Sequence, residues 1–519
     1  MVDSPRSAGF ADRSGVAPFS TRFLTPEDLR NVAAFTNDTS DSSLSSRILS
    51  PFASRLAKLV PTTLAPNVLT LMSLVSVLHA CHTTYLYHES YARFSTTVTI
   101  MMFTLYHALD LVDGKHAKNT KNDTPLGYVF SQACDAIGLT FIVITMGMLL
   151  GVEDTGLLWY LVNAGHLVFL WAQLSAFNRG YLSWGLFTGP GEAFFVFNAI
   201  LGLRAIFGLD WLIGWVRKAL EFGLTSLGKG EMVILMDKHD LLRLGIQTVY
   251  YGLLIGVLLR VVFLPKIHRT TRNYLLFCLC YRSIPGLLTG YGIAKSTSFT
   301  EVICDGLFMS IVTSDLVLAR MAKREMHDWI FLMAMMSLLD KFLNLFMAVF
   351  YYCSIVYDIC TFMNLPLFTP VINVYIDGVF DLCHLGHKNH IMRALKYGNR
   401  LLVGVMADED VRKYKRYPIM SLEERCAEVD ALRCVYKVIP GAPCFGLTKE
   451  FIDEWKIHVV LASEEYNKPE DKYYKVPREM GILRIMPRTD GVSTSDLIKR
   501  ILQREVSEQT THSETHIVS

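Results

Sequence analysis

At 519 residues the chain is too long for one ordinary domain, and a hydrophobic share of 51% with a mean hydropathy of +0.31 exceeds what a soluble globular protein shows. Fifty Lys and Arg against 48 Asp and Glu leave a formal net charge of +2, which excludes a global field suited to nucleic acid, so no nucleic-acid partner is expected. The 11 cysteines are scattered without a CxxC pair and read as reduced intracellular thiols.

In chain order, residues 1–50 are Ser/Thr-rich and hold no apolar core long enough for a signal peptide. They are expected to be disordered, leaving membrane entry to the first spanning helix. From 51 to 366, runs such as NVLTLMSLVSVLHA, GLTFIVITMGMLLGV and TVYYGLLIGVLLRVVFL approach the length that crosses roughly 30 Å of hydrocarbon. They predict a polytopic α-helical membrane domain of about eight to ten transmembrane helices.

Within it, LDLVDGKHAKNTKNDTPLGYVFSQACD, residues 109–135, places Asp110 and Asp113 on one helical face and Ser131 and Asp135 on a face of the next helix. Gln132 diverges from that face by about 100°, and Asp123 falls in the loop. Carboxylates this deep in a membrane are costly unless they work.

Around residue 368 the pattern changes. PVINVYIDGVFD, RLLVGVMAD, KVIPG and KIHVVLAS read as buried strands, and KNHIMRALKYG, EERCAEVDALRC and LTKEFIDEWK as helices between them. Alternating strands and helices with short connections predict a parallel α/β domain over 367–505, followed by a disordered tail, 506–519.

The sharpest motif is YIDGVFDLCHLGH, 375–387. A strand ends at Gly378, where backbone amides can approach a phosphate, and the helix start that follows adds its own N–H groups and dipole. His384 and His387, three apart, point to the same side of the first turn. A lone histidine would read as a surface residue; two beside an anion-binding helix start suit a phosphoryl group from which pyrophosphate departs. Further on, Ser493, Thr494 and Ser495 offer hydroxyls next to Gly491, and Arg488 a planar multi-donor cation, a set suited to a triphosphate.

HLGH resembles the HxGH signature of cytidylyltransferase-type nucleotidyltransferases, and RTDGVSTSDLIKRIL, 488–502, is similar to the RTxGISTSD segment of choline-phosphate and ethanolamine-phosphate cytidylyltransferases. The resemblance implies a Rossmann-like domain with CTP and phosphocholine (or phosphoethanolamine) as substrates and Mg²⁺ as counter-ion of the triphosphate. It also implies catalytic roles for His384, His387 and Lys415, and nucleotide contacts from Gly378, Phe380, Arg488, Gly491, Ser493, Thr494 and Ser495. Asp381 and Arg433 become substrate-binding candidates, and Phe445, Glu464 and Tyr466 a candidate cage for the alcohol's ammonium, at positions where the family carries APW and HisAspAsp segments. One such domain and the STSD ending favour phosphocholine. Arg416 stands where the family has glycine.

Residues 109–135 resemble the CDP-alcohol phosphotransferase signature DxxDGxxAR, eight residues, then GxxxDxxxD, with Asp110, Asp113, Gly114, Lys118, Gly127, Ser131 and Asp135 in register. LAPNVLTL and FTGPGEAFF, with Glu192, resemble the choline/ethanolamine branch. In that family four carboxylates hold two divalent ions. Here Ser131 replaces the third, and Lys118 replaces an arginine clamp, which implies a degenerate metal site at Asp110, Asp113 and Asp135. The expectation is an impaired anchor, with a bifunctional chain as its rival. The resemblances also imply a homodimer, a membrane-lipid partner and residence in the endoplasmic reticulum with the catalytic domain cytosolic.

Overall fold

The computed structural model describes residues 23–36, 40–186, 189–225, 238–265, 267–290, 298–337, 340–413, 416–468, 470–487 and 493–515. Two compact units, Met1–Thr369 and Pro370–Ser519, divide the chain.

The first unit is helical: α1 (Pro26–Ala33), α2 (Leu44–Leu59), α3 (Pro66–Tyr87), α4 (Ala92–Asn119), α5 (Pro125–Leu149), α6 (Thr155–Arg179), α7 (Pro190–Phe207), α8 (Leu209–Thr225), α9 (Lys238–Phe263), α10 (Arg269–Gly290), α11 (Phe299–Ala322), α12 (Asp328–Met336) and α13 (Leu343–Met363). Seven described helices, α3, α5, α6, α7, α9, α11 and α13, are long and apolar enough to cross a membrane. Helices α4 and α10 have the length but carry more charge, and with them the bundle reaches the expected range. Local chemistry sets the ends. Thr124 caps α5 by accepting the Gly127 N–H at 3.1 Å, with Pro125 at the first position, and Asp154 caps α6 through the Gly156 N–H at 2.8 Å. Helix α11 is the most enclosed span, packed against α5, α6 and α13, and a side chain at Gly306 would collide with Thr140 of α5.

The stretch 1–50, expected to be disordered, is ordered in part. Thr25 and Asp28 form a reciprocal capping box that starts α1, and Leu24, Leu29 and Val32 are buried. The Asn31 amide donates to the Ala322 carbonyl at 2.9 Å, and the Leu24 N–H to Asp358 at 2.9 Å. Residues 1–22 lie outside the described residues.

The second unit is a five-stranded parallel sheet. Its elements run β1 (Asn373–Gly378), α14 (Leu385–Ala394), β2 (Arg400–Met406), α15 (Asp408–Arg412), α16 (Leu422–Asp430), β3 (Lys437–Ala442), α17 (Lys449–Glu454), β4 (Val459–Ser463), α18 (Lys475–Glu479), β5 (Leu483–Met486) and α19 (Thr494–Thr515). The strand order is β3-β2-β1-β4-β5, so the winding reverses between β1 and β4, the place where such sheets bind ligands. Alternation along β1 covers both faces: Val374 and Ile376 join one apolar cluster and Tyr375 the other. The tail expected to be disordered from 506 is helical as far as Thr515, because α19 continues through it.

Candidate functional site

At the carboxyl end of β1 the chain turns through Phe380 (φ 54°) and Leu382 (φ 47°), left-handed conformations that cost a non-glycine residue roughly 1 kcal/mol each. Two ionisable side chains hold the strain. The fully buried Arg425 guanidinium donates to the carbonyls of Val379 at 2.6 Å, Met406 at 2.8 Å and Met420 at 3.2 Å, and pairs with Asp408. The Asp381 carboxylate accepts the Ile419 and Met420 N–H groups at 3.1 and 3.0 Å, with Arg416 at 4.0 Å. Loops after β1 and β2 and the approach to α16 thereby become one frame.

That frame aims α14. His384 is its N-cap, its Nδ1 accepting the Gly386 N–H at 3.1 Å, which leaves the proton on Nε2. Nε2 lies 3.3 Å from Thr494 Oγ1, and Thr494 donates to the Asp381 carbonyl at 3.3 Å, so the imidazole is the donor of its pair. Burial lowers the His384 pKa from its ordinary value and keeps the ring neutral near pH 7. His387 stacks on it with ring centroids 4.0 Å apart and meets Phe380 edge-on at 5.4 Å.

Both histidines face a cavity of about 700 Å³ shared with Gly378, Phe380, Asp381, Tyr466, Ser493, Thr494 and Ser495. Lys415, Arg488 and Gly491 lie outside the described residues. Three expected contacts are not brought to the cavity. Arg433 is exposed in the turn after α16. Phe445 is 62% exposed and carries the Lys413 ammonium 5.3 Å from its ring. Glu464 starts a 3₁₀ turn whose roughly 120° steps present Glu465 and Tyr466 to the cavity instead.

Sequence reasoning missed Asp377, Tyr473, Tyr474, Glu465 and His390, all of which line the cavity. Burial pushes the Asp377 carboxyl up to about 6, against the hydroxyls of Tyr474 and Tyr473, which donate to it at 2.6 and 2.8 Å and favour its charged form. Tyr466, Tyr473 and Tyr474 pack ring to ring at 4.6 to 6.2 Å beside it. Arg416, read as a departure from the family, lines the cavity as well. The one legible signal was HLGHKNH, which repeats histidine every third residue as far as His390.

In the membrane unit Asp113 and Asp135 are turned to neighbouring donors. Thr70 donates to Asp113 at 2.5 Å, Tyr106 to Asp135 at 2.8 Å, and Gln132, expected to point away, reaches the other Asp135 oxygen at 3.4 Å. Asp110 lies within electrostatic reach of both other carboxylates. Among the described residues no group of three or more His, Cys, Asp or Glu side chains is placed to hold a metal ion. Glu192 accepts the Ser45 N–H at 2.7 Å and staples the start of α2 to α7. Gly127 faces Asn67 at a distance that leaves little room for a side chain, Gly114 borders open space, Lys118 is exposed and Ser131 half-buried.

A parallel sheet with a strained strand-to-helix turn, paired imidazoles at a helix start and hydroxyls opposite defines a nucleotidyltransferase-type domain. Residues 375–500 match the family model Cytidylyltransferase-like, and residues 63–221 match CDP-alcohol phosphatidyltransferase. The chain is a fusion of these two kinds of domain. It is 38% identical over 133 residues to an ethanolamine-phosphate cytidylyltransferase of Dictyostelium discoideum, covering 25% of this chain and 37% of that one. It is 38% identical over 144 residues to a choline-phosphate cytidylyltransferase of Saccharomyces cerevisiae, covering 27% and 34%. It is 39% identical over 142 residues to choline-phosphate cytidylyltransferase A of Rattus norvegicus, covering 27% and 38%. The chain thus spans little more than a third of the length of these relatives.

Proposed function

We propose that the protein is a membrane-anchored cytidylyltransferase that converts CTP and phosphocholine to CDP-choline and pyrophosphate for phosphatidylcholine synthesis. The observation that carries the reading is the stacked His384–His387 pair at the start of α14, facing the cavity with the Thr494 hydroxyl. A phosphate oxygen of phosphocholine attacks the α-phosphorus of CTP, and the bond from that phosphorus to the bridging oxygen breaks, with pyrophosphate taking the electron pair. The His384 Nε2–H and the His387 ring stabilise the charge that builds on the phosphoryl oxygens, and the Ser493, Thr494 and Ser495 hydroxyls hold the triphosphate. Mg²⁺ enters with CTP as its counter-ion, as part of the substrate.

The choice of alcohol rests on the opposite wall. A quaternary ammonium asks for negative charge and aromatic faces without hydrogen bonds, and Asp377 with Tyr466, Tyr473 and Tyr474 supplies both. Phosphoethanolamine is the second candidate, since a primary ammonium could use Glu465 as an acceptor. The membrane unit serves as an impaired anchor, in keeping with carboxylates already turned to hydroxyl and amide donors. The same reading places a homodimer in the lipid of the endoplasmic reticulum, with the C-terminal unit on the CTP-containing cytosolic side.

The test uses the full chain in detergent micelles with CTP and each phosphoalcohol. CDP-choline is expected with the higher kcat/KM. Preference for phosphoethanolamine moves the assignment to that branch, and no CDP-alcohol from either substrate overturns it.

A further inference from the structure

Two helix faces meet at the acidic residues of the membrane unit, and a segment from the far end of that unit lies across one end of them. On α3, Asn67 and Thr70 are three apart and share a face, and Thr70 donates to Asp113 of α4 at 2.5 Å. On α5, Gly127, Ser131 and Asp135 follow at intervals of four along one face. The Asn67 Oδ1 atom lies 3.3 Å from the point where a side chain at Gly127 would begin, so the two faces touch at this end. The other end of the same amide turns outward along the chain. Asn67 Nδ2 donates to the Leu367 carbonyl at 2.9 Å, across 300 residues of sequence.

Leu367 belongs to the segment that follows α13, the last part of the membrane unit before Pro370 opens the second unit. Asn364 ends α13 in a left-handed conformation (φ 48°), and the Leu365 N–H returns to the Cys360 carbonyl at 3.0 Å. Leu365 is buried, so the root of the segment is fixed. Its tip is held more lightly, because Phe368 meets Phe130 of α5 edge-on at 5.8 Å and is 46% exposed. Phe130 directly precedes Ser131, so the ring contact sits beside the acidic face. A segment anchored at its root and lightly held at its tip opens locally at far less cost than the unit unfolds.

We infer that residues 365–368 form a strap that closes the Asn67 and Gly127 end of the acidic face, and that release of this strap admits water-soluble solutes to Ser131 and Asp135. The strap goes beyond the cytidylyltransferase reading and does not depend on it.

The test introduces one reporter thiol, Ser131→Cys, into the full chain in detergent micelles. Its reaction with a cationic methanethiosulfonate is followed by fragment-ion mass spectrometry, which separates position 131 from Cys134. Where reclosing outpaces labelling, the rate reads the open fraction. In this background Phe368→Ala should speed labelling about fivefold, and Asn67→Ala about tenfold. Phe368→Tyr keeps the ring and should stay within about twofold of the parent, as should Phe342→Ala, which removes an exposed ring elsewhere in the unit. Rates within about twofold of the parent for both Phe368→Ala and Asn67→Ala overturn the strap. Equal acceleration by Phe342→Ala overturns it as well, because it reports general loosening. The melting curve of each sample reports folding; should Asn67→Ala not fold, Phe368→Ala against Phe368→Tyr decides alone.

Discussion

In the C-terminal unit His384 and His387 face open space, whereas in the membrane unit Asp113 and Asp135 are turned on their neighbours. His384 and Asp377 are each oriented by protein donors or acceptors and still line a cavity of about 700 Å³. Asp113 and Asp135 are met by Thr70, Tyr106 and Gln132, and no metal-holding cluster forms among the described residues. Both motifs are legible as relatives of catalytic signatures. On the proposed reading the signature of the membrane unit marks ancestry, while that of the C-terminal unit, whose histidines remain available to a ligand, marks use.

The largest break of this contrast comes at His384. Its Nε2–H is the donor proposed to face the developing phosphoryl charge, so His384→Ala is expected to lower CDP-alcohol formation by roughly a hundred- to a thousand-fold, the usual cost of one such donor. The full chain with CTP and phosphocholine gives the measurement, and a loss under tenfold would remove His384 from the chemistry. Arg425 comes next and acts through folding. Arg425→Ala strips three carbonyls and Asp408 of their buried partner, which should destabilise the C-terminal unit by about 3–5 kcal/mol. Denaturant melting should show that loss in the C-terminal transition.

How far the sequence revealed these sites follows from distance along the chain. HLGH and the β1 to α14 turn were legible because glycine, strand periodicity and histidine spacing fall within thirteen residues of sequence. The Asp377–Tyr473–Tyr474 cluster was not, because its members are 96 and 97 residues apart and meet only through parallel crossovers. Phe445 was misplaced for a related reason: its orientation is set beside Gly446 at φ 142°, which composition does not disclose. Order in α1 was hidden by a Ser/Thr-rich context, although Thr25 and Asp28 carried the capping-box pattern. In the membrane unit the carboxylates were legible at helical spacing, but the hydroxyls of Thr70 and Tyr106 that occupy them come from the same face or the neighbouring helix and carried no motif.

Asp377 sharpens the comparison through pH. Burial pushes its pKa up to about 6, so the carboxylate is charged above that pH and becomes neutral as pH falls through it. If it faces the ammonium, KM for phosphocholine should rise about tenfold per pH unit below 6 while KM for CTP stays level, one proton being lost from the binding equilibrium per site. Asp377→Asn should show the raised KM at every pH and no further rise. A wild-type KM flat from pH 5 to 7.5 would place the ammonium elsewhere.

The smallest expected effect tests the membrane side. Ser131 and Asp135 share a face of α5, so Ser131→Asp returns a second carboxylate to that face. Two buried carboxylates repel and lose hydration, which favours the protonated forms unless a cation bridges them. The variant should therefore melt lower than wild type without Mg²⁺ and recover with it, while the wild-type curve stays nearly insensitive to the ion. Transfer from CDP-choline to diacylglycerol should rise only a few-fold, because Thr70 and Tyr106 still hold Asp113 and Asp135 and Lys118 cannot clamp a phosphate as arginine does. A wild type that already responds to Mg²⁺ and makes phospholipid as fast as the variant would erase the contrast between the two regions, because serine at 131 would then suffice for metal binding.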